Sequence, residues 1–237
     1  MKLSTLFKSQ QTSDDQWIAT ADIMATLMLI FAFIALIFTH QNIESISKNI
    51  EVTQEKIYQA LISEFNPREL NQWGAVIDEK TGTVTFSGVI IQFDTNSHII
   101  KPEFKSILDD FFPRYVKTLR PYRDTIDEID IEGHSNSKIP QTYTQRRGYD
   151  HNMLLSQKRA YQVMKYSLDT IEPLTIVSMR DSYNSIWMRE ILRAVGYSSS
   201  QPITDRFNKE DLTKSKRVQF RIRMDNDEFI QQIRELQ

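Results

Sequence analysis

The residue whose type is most at odds with its surroundings is Asp22. From Ile23 to Phe38 the chain runs IMATLMLIFAFIALIF, with no charge and a single hydroxyl. Trp17 to Ala21 before it and Thr39 after it bring the stretch to about 23 residues, enough to cross a bilayer. An ionisable group in such a span costs on the order of 3 kcal/mol at the helix centre and is a functional candidate by default. Thr26 lies four residues on, so its hydroxyl shares a helix face with Asp22 and makes a short polar stripe on an otherwise apolar rod. The stripe is expected to face protein and not lipid, where a carboxylate is placed to take up and give back a cation. Trp17, roughly one turn earlier, suits an interface anchor. That position also leaves open the plainer reading of Asp22 as the last solvated residue before the membrane.

The flanks decide how this helix is used. Asp14 and Asp15 precede it, the apolar run exceeds a usual export signal, and His40-Gln41-Asn42 is no small-residue cleavage site, so a retained anchor is expected. Lys2, Lys8 and the amino terminus lie before the helix, whereas Glu44, Glu51 and Glu55 outnumber Lys48 and Lys56 after it. That bias puts the amino terminus in the cytoplasm and the remainder across the inner membrane, in the periplasm. The expected division is a polar tail over 1–16, a transmembrane helix over 17–40, a helical linker over 41–66 and a folded domain over 67–237. In the linker, Ile43, Ile46, Ile50, Thr53, Ile57 and Ala60 follow three- and four-residue steps, a short heptad seam suited to a parallel coiled-coil dimer. The alternative is an amphipathic linker lying on the membrane or on its own domain.

Helix breaking begins at Asn66-Pro67. Trp73 to Ile77 and Thr83 to Phe86 read as a hairpin around Glu79-Lys80-Thr81-Gly82. Beyond it, strands and helices alternate, which predicts an α+β domain in layers with a mixed sheet. Val89 to Phe93 reads as a strand. Phe104, Ile107, Leu108, Phe111, Phe112, Tyr115 and Leu119 mark a helix face that Pro113 should kink or restart. Ile126 to Ile131 alternates apolar and acidic residues as a half-buried strand does. Leu154 to Leu168 reads as a second helix, Ile191 to Val195 and Val218 to Ile222 as further strands, and 225–237 as a closing polar helix. The segment 169–190 fits either a short helix or a strand with a loop.

Composition excludes several functions. With 29 Lys and Arg against 31 Asp and Glu, interspersed, a net charge of -2 gives no case for nucleic-acid binding. No cysteine is present, so a packed core and not disulfides must stabilise the domain. Four histidines without metal-ligand spacing, and no nucleophile-elbow or phosphate-loop motif, argue against an enzyme and against a cofactor.

Two family resemblances sharpen this reading. The run Trp17-Ile-Ala-Thr-Ala-Asp22-Ile-Met24-Ala-Thr26-Leu27-Met28 resembles the B subunit of bacterial flagellar stators. The resemblance implies that Asp22, with Thr26 beside it, carries a proton, or alternatively sodium, across the inner membrane against a polytopic A subunit. The second, over about 89–224, is to the OmpA-like peptidoglycan-binding domain. It rests on Phe93-Asp94-Thr95-Asn96-Ser97, on Gly133-His134-Ser135-Asn136, on Asn152-x-x-Leu155-Ser156-x-x-Arg159-Ala160, and on Lys216-Arg217-Val218. By this resemblance Asn136, Asn152, Leu155 and Arg159 bind peptidoglycan. Arg159 supplies a cationic fork for the carboxylates of wall peptides. Asn136 stands where the family has an Asp that takes the ligand's amine; it keeps an acceptor but loses the charge, which implies a weaker grip or a different peptide. A wall anchor joined to an ion-carrying helix is the plan of flagellar stator B subunits and of ZorB subunits of the Zorya anti-phage system. The Leu- and Phe-rich span leading directly into a short linker resembles the latter more closely. That family implies a homodimer within a hetero-oligomer containing a MotA-like ZorA subunit. A passive envelope-to-wall anchor, with no role for Asp22, is the competing reading.

Overall fold

The computed structural model describes residues 3–88, 93–94, 96–172 and 179–224. Its chain divides into two compact units, 1–49 and 50–237. Helix α1 runs from Leu3 to Glu64. Within the first unit it carries the stretch Thr20–Ile43, 24 residues long and apolar enough to cross a membrane. At 1.5 Å per residue this spans about 36 Å, more than a hydrocarbon core needs.

In the second unit the last turns of α1 are part of the core. Ile57, Leu61 and Phe65, four residues apart and so on one face, are no more than 1% exposed. The compact unit therefore starts at Ile50, inside the segment expected to be a linker. Ile57, assigned to a heptad seam, packs within its own chain, and Ile50 lies against the same core. The side chain of Ile46 lies outside the described residues.

Asn66 then ends one helix and begins another. Its side chain accepts the Glu69 backbone N–H at 3.0 Å and caps α2 (Pro67–Trp73), with Pro67 at the first helical position where no N–H is needed. Gly74, at φ 63°, closes α2 in the left-handed region that suits glycine. The expected hairpin follows as β1 (Ala75–Ile77) and β2 (Val84–Ser87), its turn held by Asp78, whose carboxylate accepts the backbone N–H groups of Lys80 and Thr81.

Helix α3 (Pro102–Leu119) buries the apolar face read from the sequence, but it continues through Pro113 as one helix. Buried Phe104, Ile107, Leu108, Phe111, Phe112, Tyr115, Val116 and Leu119 pack on both sides of the proline, and that burial outweighs one lost backbone hydrogen bond. A 3₁₀ turn, Arg120–Thr125, leads into β3 (Ile126–His134). Helix α4 (Gln145–Ile171), capped by Thr144, begins well before the expected Leu154 and takes in Arg146 and Arg147. Part of the ambiguous segment is helical, as α5 (Met179–Ile191), which runs straight into β4 (Leu192–Gly196); β5 is Arg217–Met224. Residues 89–92 of the expected strand and the expected closing helix 225–237 lie outside the described residues.

The sheet order is β1-β2-β5-β3-β4, with β3 and β4 parallel and the other pairs antiparallel. The fold is the α+β arrangement with a mixed sheet that the sequence predicts. Helix α4 lies against β3 and β4, and α3 packs beside α4. Phe86, Phe111, Tyr115 and Phe220 fill the layer between, with edge-to-face ring contacts such as Phe86–Phe111 at 4.9 Å. Gly133 permits this approach: a Cβ there would lie 2.3 Å from the Ser156 carbonyl oxygen of α4.

The opposite face of β3 departs from the half-buried pattern. Asp130 and Glu132 are 2% and 1% exposed. Their neighbours on β5 explain this. Arg223 reaches Asp130 at 2.5 Å and Arg221 reaches Glu132 at 3.3 Å, while Arg193 of β4 reaches Glu128 at 3.1 Å. The long arginine stems cover the acids they neutralise.

Candidate functional site

In the first unit Asp22 and Thr26 sit one turn apart on α1 and both are exposed. The Thr26 hydroxyl donates to the Asp22 backbone carbonyl at 2.8 Å, so it is committed to the helix and not to the carboxylate. The two residues are brought together through the main chain, and the Asp22 carboxylate is left to whatever meets that face.

In the second unit α4 assembles three of the four residues proposed for wall binding. Asn152 and Arg159 are seven residues apart, two turns along one face, and both are buried. Leu155 is half-buried between them in sequence. Asn152 does not point to solvent; its Nδ2 donates to the carbonyls of Asn136 at 3.2 Å and Lys138 at 3.4 Å. It therefore pins the loop after β3 to the helix. Asn136 is likewise engaged, its Nδ2 donating to the Leu212 carbonyl at 2.9 Å and its Oδ1 accepting the Lys138 N–H at 3.3 Å.

Arg159 is 7% exposed. Its Nε donates to the Ser97 carbonyl at 2.9 Å, its Nη2 to the Asp94 carbonyl at 3.3 Å, and its guanidinium lies 4.9 Å from the centre of the Phe93 ring. Among the described residues no carboxylate pairs with it. Burial pushes its pKa down to about 10, the response of a cation removed from water without a counter-ion. Lys216 is lowered for the same first reason, burial, and then by the charges of Arg159 and Lys138. Arg159, Lys216 and Lys138 thus form a cationic group whose mutual repulsion an anion would relieve.

His134, flagged from the sequence, is not at this site. Its Nε2 donates to the Glu132 carboxylate at 3.2 Å, its ring stacks on Tyr197 at 4.9 Å, and its Nδ1 is buried without a partner. His151 approaches Asn96 at 3.1 Å and Tyr143 edge-to-face.

A curated protein, Zorya protein ZorB of Escherichia coli, is 37% identical to this chain over 215 residues, 88% of each. The chain belongs to the ZorB family. No protein-family model matches it. Solved structures similar to it include a MotB-like protein from Desulfovibrio vulgaris (19% identity, 75% of this chain and 94% of that one, TM-score 0.48). The cell wall anchor of the T6SS from Pseudomonas aeruginosa is another (21%, 69% and 96%, TM-score 0.43). A third is the periplasmic domain of Helicobacter pylori MotB (18%, 68% and 87%, TM-score 0.41).

For this ZorB family member, sequence reasoning missed the carbonyls of Asp94 and Ser97 as the seat of Arg159. It also missed Lys138 as part of the cationic group. Backbone acceptors leave no residue-type signal, so only the fold reveals them.

Proposed function

We propose that this ZorB family chain is the wall-anchored subunit of an ion-driven, stator-like membrane complex in anti-phage defence. In this reading the amino terminus is cytoplasmic and the second unit is periplasmic. The chain works as a homodimer with a MotA-like ZorA subunit, Asp22 carries protons, and peptidoglycan is held through Arg159 and the loop that Asn152 pins. The observation that carries the wall-binding half is Arg159: a buried guanidinium with only carbonyl acceptors and a ring face around it suits a ligand carboxylate. Family membership supports defence over motility. The ion-carrying half rests on the acid in an otherwise apolar span.

The first half is tested by sedimenting the detergent-solubilised full chain with isolated peptidoglycan. Arg159→Ala should lose most of the bound fraction while its melting curve remains cooperative; undiminished binding would move the site elsewhere. For the second half, Asp22→Asn keeps shape and removes the charge. It should abolish protection from phage with insertion and assembly intact, and normal protection by this variant refutes ion carrying at Asp22.

A further inference from the structure

A cavity of about 310 Å³ opens on the face of the sheet turned away from α3 and α4. Strand alternation puts Thr85 of β2, Arg217, Gln219 and Arg221 of β5 and Glu132 of β3 on that side, because Phe86, Val218, Phe220 and Ile131 beside them fill the core. Register sets Thr85, Gln219 and Glu132 side by side in one rung. The turn between β1 and β2 adds Asp78. Every side chain lining the cavity is polar, so an aliphatic ligand would strip water from groups it could not pair with.

On the floor of the cavity two guanidiniums face one carboxylate. That carboxylate, Glu132, is already engaged, by His134 Nε2 at 3.2 Å on one oxygen and by Arg221 Nη1 at 3.3 Å on the other. Arg217 is 7% exposed and pairs with no carboxylate among the described residues. Its Nη1 donates to the carbonyls of Gln201 and Ser215, and its Nε to the Gln219 side chain at 3.1 Å. Burial pushes the pKa of Arg217 down, against the raising effect of Glu132.

The groups left open define what could bind. Arg217 keeps Nη2, and Arg221 keeps its whole Nε–Nη2 edge, without a partner among the described residues. Such an edge takes a planar carboxylate through two parallel hydrogen bonds. The Thr85 hydroxyl accepts Gln219 Nε2 at 2.8 Å, so its own proton is free to donate. Asp78 spends Oδ1 on the turn and on the Thr81 hydroxyl, which leaves Oδ2 to accept. The negative charge of Asp78 makes a dianion such as phosphate a poorer fit than a single carboxylate.

We propose that this cavity is a binding site for a small hydroxylated carboxylic acid, such as an acidic sugar. Arg221 grips the carboxylate through its open edge, Arg217 supplies the excess charge, and Asp78 and Thr85 hydrogen-bond the ligand hydroxyls. The site is separate from Arg159, which α4 carries on the other side of the sheet, and it does not depend on the wall-binding reading.

Titration of the full chain, in a detergent without a sugar headgroup and followed by saturation-transfer NMR of the ligand signals, tests this with glucuronate, glucose and hexanoate. Glucuronate should bind saturably. Glucose, which lacks the carboxylate, and hexanoate, which lacks the hydroxyls, should each bind at least about tenfold more weakly. Arg221→Gln should weaken glucuronate by about tenfold or more while its melting curve stays cooperative. Arg221→Lys, with the charge but not the fork, should also bind more weakly than wild type, and it decides the matter if the glutamine variant does not fold. Arg159→Ala should bind glucuronate as wild type does. The proposal is overturned by a wild-type chain that does not bind glucuronate or that binds glucose or hexanoate equally well. Wild-type affinity in the Arg221 variants overturns it too, as does loss of glucuronate binding in Arg159→Ala, which would place the acid at α4.

Discussion

The guanidinium of Arg114 on α3 grips Glu64 at the end of α1 twice, through Nε to the carboxylate at 2.8 Å and through Nη2 to the backbone carbonyl at 2.8 Å. The same side chain reaches Glu69 of α2 at 2.7 Å and covers the Phe65 ring at 4.7 Å. One residue thus fastens the helix terminus, the following turn and the core beneath them. These hydrogen bonds outweigh partial burial and raise the pKa of Arg114.

Arg114→Ala should lower the stability of the 50–237 unit by about 2–4 kcal/mol, since it leaves the carboxylates of Glu64, Glu69 and Asp110 and a terminal carbonyl without their donor. Lysine should restore only part of this, lacking the planar fork. Urea unfolding followed by tryptophan fluorescence measures both.

Leu61→Ala should cost about 2–5 kcal/mol, the range for a fully buried leucine. A helix that merely linked the two units would lose almost nothing, so the urea midpoint separates a core role from a tether.

Acid should destabilise this unit in two stages. Burial holds the pKa of His134 below its ordinary 6.5, against the opposing Glu132 hydrogen bond. Because the unfolded chain then takes up the proton first, stability falls as the pH drops below 6.5 toward the lowered folded value. Burial alone would raise Glu132, but His134 and Arg221 together hold it below 4.5. Its contribution is present above 4.5 and is lost as the pH falls through the lower folded value. Melting temperatures between pH 8 and pH 3 should show both declines, and His134→Gln should remove the upper one.

Gly133→Ala should be severe, on the order of 3 kcal/mol, because the new methyl would meet the backbone of α4 and not a side chain that can swing away. Since α4 carries Arg159, peptidoglycan sedimentation should weaken along with the melting temperature.

Where apolar spacing alone determined an element, the sequence was sufficient. The face of α3 and the alternation of β5 are legible because burial imposes periods of 3.6 and 2 on side chains. The break at Asn66-Pro67 is legible because those types both end and start helices. What escaped reading depends on distant partners. Ile57 looks like a seam residue until the sheet that covers it is in place. Glu132 looks solvent-facing until Arg221 arrives from 89 positions away.

Gln157, on the exposed side of α4, donates to the Ala194 carbonyl at 2.8 Å and accepts the Gly196 N–H at 2.7 Å. A side-chain amide thereby occupies the rim of β4 that a sixth strand would otherwise use. Molecules confined to one bilayer meet far more often than they would in free solution, so an open rim there would template polymerisation from copy to copy. The glutamine closes that route, and chains crowded in a membrane can approach one another without growing into a continuous sheet.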